Sequence, residues 1–175
     1  KAQEIVFTSG ATESSNLAIR GAAAAYGRKR KKIVASAVEH ASVKATLSYL
    51  KTLGFTVVTV PPAADGEYHT EDFLREIDSS VCLVSMMLVN NENGCRLPVE
   101  NVFRMVKRND PEIITHCDAV QGFLKIPFKP RTLCADLVSV SGHKVHALKG
   151  VGALYIRHGV RVKPILCGSE QKVCR

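Results

Sequence analysis

The sequence predicts an α/β domain: a mostly parallel, seven-stranded sheet with helices on both faces and one antiparallel strand. Three observations carry this prediction. Short apolar runs alternate with helical patterns along the chain, the arrangement of a parallel sheet covered on both faces. The run Val81 to Val89 is apolar apart from Ser85, as suits a central strand buried on both sides. Only the loop Lys144 to Val151 separates the last two strand candidates, and so short a connection favours an antiparallel addition.

The elements follow in order. Ile5 to Thr8 (Ile-Val-Phe-Thr) is the first strand, and Thr12 to Tyr26 the first helix. Ile33 to Ala37 and Thr56 to Val60 are strands on either side of the helix Ser42 to Leu53. Their β-branched residues suit a pleated, half-buried surface. Thr70 to Ile77 is a short helix leading to the strand Val81 to Leu88. Val99 to Arg108 is the last helix, followed by strands Ile113 to Cys117, Leu137 to Ser141 and Gly152 to Ile156. No internal repeat, low-complexity segment or linker interrupts them.

Composition narrows the class. The chain has 175 residues, 46% hydrophobic and 23% charged, which is ordinary for a soluble globular domain with a real core. No apolar run approaches the roughly 20 residues of a membrane span. The six cysteines are scattered, without a C-x-x-C pair, so a zinc ribbon or thioredoxin-type site is not expected and no metal is assigned. Cys82 and Cys117 lie in apolar strands as small hydrophobes, and a reduced, cytoplasmic compartment fits best. The formal charge is +8, in part from the run Arg28-Lys29-Arg30-Lys31-Lys32. That run suits a solvated helix end better than a nucleic-acid patch, because no aromatic residue is interleaved with it. The chain opens Lys-Ala-Gln-Glu, without an initiator Met, and reads as part of a longer protein.

Polar residues collect at strand ends. Ser9-Gly10-Ala11-Thr12 follows the first strand, His40 the second, and Asn90-Asn91 the fourth. Asp118 and Gln121 follow the fifth, and Ser141-Gly142-His143-Lys144 the sixth. In an open α/β sheet these carboxyl ends border the ligand crevice. Gly10 allows close backbone approach, and the helix N-terminus at Thr12 suits a phosphate; Thr12 and Glu13 equally suit simple capping. A carboxylate such as Asp118 at the mouth of a buried strand needs a cation, for which a protonated pyridine nitrogen would serve; the alternative is a helix cap. His40 can stack on a flat ring, assist proton transfer, or be structural. Asn91 and Gln121 can bond a phenolic oxygen or serve as turn residues. Lys144 can form a Schiff base, with Lys149 as its competitor.

These segments resemble the cysteine desulfurase family, in the class V aminotransferase group of fold-type I pyridoxal phosphate enzymes. Phe-Thr-Ser-Gly-Ala-Thr-Glu-Ser (7–14), Val-Glu-His (38–40), Val-Asn-Asn-Glu-Asn-Gly (89–94), His-Cys-Asp-Ala-Val-Gln (116–121) and Ser-Gly-His-Lys (141–144) occur in the family's order and spacing. The resemblance implies that 1–175 is the large, cofactor-binding domain, incomplete at both ends and without the small C-terminal domain. It implies that Ala11, Thr12, Ser141 and His143 bind the phosphate of pyridoxal 5'-phosphate. It implies that His40 stacks on the ring, that Asp118 pairs with the pyridine nitrogen, and that Asn91 and Gln121 contact the ring-oxygen side. Lys144 would hold the cofactor and, with His40, form the catalytic pair.

The implied reaction converts L-cysteine to alanine and an enzyme persulfide, which feeds iron–sulfur assembly or tRNA thiolation through an acceptor protein. A homodimer without direct nucleic-acid or membrane contact is implied too. The sequence departs from the family at Ala147-Leu148-Lys149-Gly150, where Gly-Pro-Lys-Gly is usual, and at Gly168-Ser169-Glu170-Gln171, where Gly-Gly-Gln-Glu is usual. None of the six cysteines matches the family's persulfide cysteine. The rival enzyme readings are a selenocysteine lyase or another class V aminotransferase; the non-enzymatic rival is a degenerate basic binding module.

Overall fold

The structure, a computed structural model, describes residues 1–166. All seven expected strands form: β1 (Ile5–Thr8), β2 (Lys32–Ser36), β3 (Thr56–Val60), β4 (Val81–Met87), β5 (Ile114–Asp118), β6 (Leu137–Ser141) and β7 (Gly152–Ile156). Among the described residues four α-helices form: α1 (Ala11–Tyr26), α2 (Ala41–Thr52), α3 (Thr70–Arg75) and α4 (Val99–Asn109). The sheet order is β1-β7-β6-β5-β4-β2-β3. β7 runs antiparallel to both its neighbours, and every other pair is parallel. The carboxyl ends of β1, β2, β4, β5 and β6 therefore open on one side.

The two faces bury separate cores. On one, Leu17 and Ile19 of α1 and Leu47 and Leu50 of α2 pack with Ile33, Leu83 and Leu154 of the sheet. On the other, Phe73 of α3 and Phe103 and Val106 of α4 pack with Val84, Met86 and Val138. Alternation puts neighbours such as Leu83 and Val84 on opposite faces. Every residue of β4 is buried, as its unbroken apolar sequence requires.

Two local expectations change. The third helix stops at Arg75 rather than Ile77, because the amides of Glu76 and Ile77 close tight turns on Phe73 and Leu74. The basic run does not cap a helix. α1 ends before it, at Tyr26, and Lys32 is the first residue of β2. Arg30 bonds Asp110 and Glu112 at 2.5 and 3.0 Å, and Lys32 bonds Asp78 at 2.9 Å, so two of its five cations hold the strand entrance.

One glycine positions the site. A Cβ on Gly152 would stand 2.6 Å from Gly10 Cα, so β7 can lie against the turn after β1 only without a side chain there. Gly152→Ala is expected to cost about 1–3 kcal/mol. Denaturant unfolding of the complete protein checks this; an unchanged midpoint would mean that the turn yields freely.

Candidate active site

A single cavity of about 380 Å³ lies across the strand ends, and all nine residues singled out in the sequence line it. α1 supplies its first turn. Gly10 is the N-cap without a side-chain cap, and Ser14 N–H is the first to bond back, to Gly10 O at 3.0 Å. The earlier amides of Ala11, Thr12 and Glu13 have no helical acceptor and face the site with the positive end of the helix dipole. Capping by Thr12 does not occur. Glu13 instead reaches back, its Oε2 accepting the Ser9 N–H and hydroxyl at 2.7 Å each. Those bonds, the hydroxyl's first, hold its carboxyl below the usual range.

Across from this turn, β6 ends in Ser141, which is 1% exposed, and a 3-10 turn over Gly142–Lys144 follows. Ser141 Oγ and His143 Nδ1 are 2.7 Å apart. The turn brings Lys144 to the cavity. Lys149, five residues on in an exposed loop, does not line it.

The floor is Asp118, 5% exposed at the end of β5. Its Oδ1 accepts only the Val120 N–H, at 3.1 Å. Burial pushes its carboxyl above the ordinary range, against the opposing pulls of that bond and of His40. No helix follows, since residues 120–125 form turns, so the helix-capping alternative falls. Among the described residues no lysine or arginine is paired with Asp118, and it opens toward the cavity.

The walls divide neighbouring residues between structure and site. His40 is the N-cap of α2, and its Nδ1 accepts the Ser42 N–H at 3.2 Å. That bond assigns the proton of the neutral ring to Nε2 and fixes the imidazole at the cavity edge. Asn90 is buried and organises its loop, its Oδ1 accepting the amides of Glu92 and Asn93 at 2.8 and 3.1 Å; exposed Asn91 lines the cavity. Gln121 Oε1 accepts Lys125 Nζ at 2.9 Å, which leaves its amide N–H₂ to donate. Sequence reasoning passed over Met87, Val89 and Val120, apolar walls that look like any core residue until the sheet is assembled.

The described cysteines stay outside the cavity. Burial pushes the Cys82 thiol up to about 11 and the Cys117 thiol well above its usual range, so neither is a ready nucleophile. Cys167, Cys174 and the Gly168 to Gln171 departure lie outside the described residues. Among the described residues no group of His, Cys, Asp or Glu is placed to hold a metal ion.

Residues 1–174 match the family described as Aminotransferase class-V. The chain belongs to the class V aminotransferases. Within the family, it is 41% identical over 169 residues to a cysteine desulfurase of Nostoc sp., covering 97% of this chain and 42% of that protein. It is 40% identical over 172 residues to the mitochondrial cysteine desulfurase of Drosophila melanogaster, covering 97% of this chain and 37% of that protein. Among solved structures, a NifS-like protein superposes with a TM-score of 0.93 at 40% identity, over 99% of this chain and 47% of that one. SspA in complex with cysteine gives 0.91 at 35% identity, over 99% of this chain and 50% of that one. The chain thus spans about half, or somewhat less, of the length of these relatives.

Proposed function

We propose that the complete protein is a pyridoxal phosphate-dependent cysteine desulfurase and that residues 1–175 are its large, cofactor-binding domain. One observation carries the reading: a buried carboxylate without a cation, a lysine at a strand end and an open helix N-terminus share one small cavity. The donor set fits the cofactor. The free amides of α1 and the Ser141–His143 pair suit the phosphate. Asp118 suits a protonated ring nitrogen, His40 the ring face, and Asn91 and Gln121 the ring oxygen. The cofactor, when bound, supplies an electron sink for charge at the substrate α-carbon.

The chain's own residues do the rest. Asp118 would keep a proton on the ring nitrogen, because a desolvated carboxylate gains most from a desolvated cation. Lys144 would hold the cofactor, and its Nζ would take the proton from the α-carbon of bound L-cysteine. A thiolate of the protein then attacks the substrate sulfur. As the sulfur–sulfur bond formed, the carbon–sulfur bond would break with its electron pair left on the β-carbon, and protons returned to the β- and α-carbons would complete alanine while the protein kept the persulfide. None of the six cysteines of this chain is assigned as that thiolate. The persulfide passes to an acceptor protein, and the enzyme works as a homodimer in a reducing, cytoplasmic setting. Among the described residues no helix is long and apolar enough to cross a membrane.

Adding L-cysteine to the complete protein should yield alanine with matching persulfide or sulfide. Alanine from selenocysteine alone would make it a lyase, and a colourless preparation with steeply salt-dependent nucleic-acid binding would make it a binding module. Asp118→Asn keeps the shape and removes the charge. It should lower turnover roughly 10²-fold or more while raising the stability of the cofactor-free protein at neutral pH, because a desolvated charge is gone. Equal losses of both would mean that Asp118 is merely structural.

A further inference from the structure

Glu39, between β2 and α2, belongs to none of the roles above. It is 2% exposed, and it does not line the cavity. Its Oε1 accepts two hydrogen bonds, from Ser36 Oγ and, at 2.6 Å, from the Met87 N–H. Its Oε2 is buried and has no partner among the described residues. Met87 is the cross-strand partner of Asp118, and the next amide, Leu88, donates to Asp118 O at 2.9 Å. Glu39 is therefore anchored on the strand beside Asp118, a second carboxyl group under the same floor.

The groups around Glu39 offer it little compensation. On β5 are Asp118 and the buried Cys117 thiol. On α2 are His40 and Lys44, both exposed, and neither forms an ion pair with it. The segment before α3 contributes Tyr68, whose buried hydroxyl lies near the Val38 backbone and brings no positive charge. Two carboxylates so placed without a cation cannot both ionise cheaply, and the more buried one keeps the proton. Only Asp118 faces the cavity.

We infer that Glu39 is a positioning residue that holds a proton at neutral pH, so that the single buried negative charge of the site falls on Asp118, the group that meets the ligand's cation. The inference rests on the proposed cofactor reading for its purpose, but its test does not. Burial, reinforced by the Asp118 charge, pushes the Glu39 carboxyl up to about 8. A folded-state value raised above the unfolded one means that folding takes up a proton. This contribution to stability is present below about pH 4.5 and is lost as the pH rises toward 8.

The test is an infrared pH titration of the complete, cofactor-free protein. The wild type should show a protonated-carboxyl stretch at pH 7 that titrates near pH 8. Glu39→Gln, the neutral isostere, should lack that band. In Asp118→Asn the midpoint should fall by about one pH unit, because the neighbouring charge is gone. Absence of the band at pH 7, its survival in Glu39→Gln, or a midpoint unmoved by Asp118→Asn would each overturn the inference. Because no cofactor is present, none of these results depends on whether the protein is a desulfurase. A glutamate ionised at neutral pH would give no band to titrate.

Discussion

Lys144→Ala in the complete protein should abolish the absorbance of the lysine-bound cofactor and lower alanine formation from L-cysteine by at least roughly 10³-fold. The loss should come without unfolding. Lys144 is exposed on its 3-10 turn, and its side chain makes no hydrogen bond or ion pair among the described residues. Its removal should therefore shift stability by no more than about 0.5 kcal/mol. The separation matters, because the same substitution at a buried position would confuse lost chemistry with lost fold. Lys149→Ala is the paired control: it lies outside the cavity and should leave both the band and the rate near wild type. If Lys149→Ala removed the band instead, the assignment of the Schiff-base lysine would be wrong.

The second large effect concerns acid. His116, on β5 two residues before Asp118, is fully buried and bridges two serines: Nδ1 lies 2.9 Å from Ser85 Oγ and Nε2 2.9 Å from Ser139 Oγ. This chain crosses three central strands. Burial alone drives the imidazole down to about 3, so the folded protein keeps it neutral. An unfolded histidine protonates near 6.5. As the pH falls from about 6.5 toward 3, the unfolded state binds a proton that the folded state refuses, and stability declines by about 1.4 kcal/mol per pH unit. Glu39 works the other way between about 8 and 4.5, so the two slopes oppose each other where their windows overlap.

The difference between wild type and His116→Gln isolates the histidine. The variant should be less stable at pH 7, because its amide cannot satisfy both serines as the ring does. On going from pH 6.5 to pH 4 it should gain about 3 kcal/mol relative to wild type. Urea unfolding of the cofactor-free protein at several pH values measures this; parallel curves for the two proteins would show that His116 is not the acid-sensitive group.

How much of this was legible beforehand differs between fold and site. The strands Ile5–Thr8, Thr56–Val60, Leu137–Ser141 and Gly152–Ile156 lie where their apolar and β-branched residues predict, and the other three begin or end within one residue of expectation. Alternation of strand and helix is a local signal, so local sequence carries it. The helix ends and the basic run were less legible. α3 stops early because the chain must turn into β4, and the cations at Arg30 and Lys32 meet acids up to 82 residues away. Such partners are invisible to periodicity.

For the site, the sequence alone determined which residues could meet, because each polar group follows a strand and parallel strands share a carboxyl edge. It also determined the family, through five short segments in a set order. The tertiary structure decided between neighbours. It gives Asn90 to the loop and Asn91 to the cavity, takes Lys144 and leaves Lys149, and makes His40 a cap as well as a wall. It alone revealed that Glu39 and Asp118 are buried side by side, and that His116 is sealed between two serines. The physical reason is desolvation. Whether a carboxyl or imidazole carries charge depends on what surrounds it in three dimensions, and strands far apart in the chain supply those surroundings.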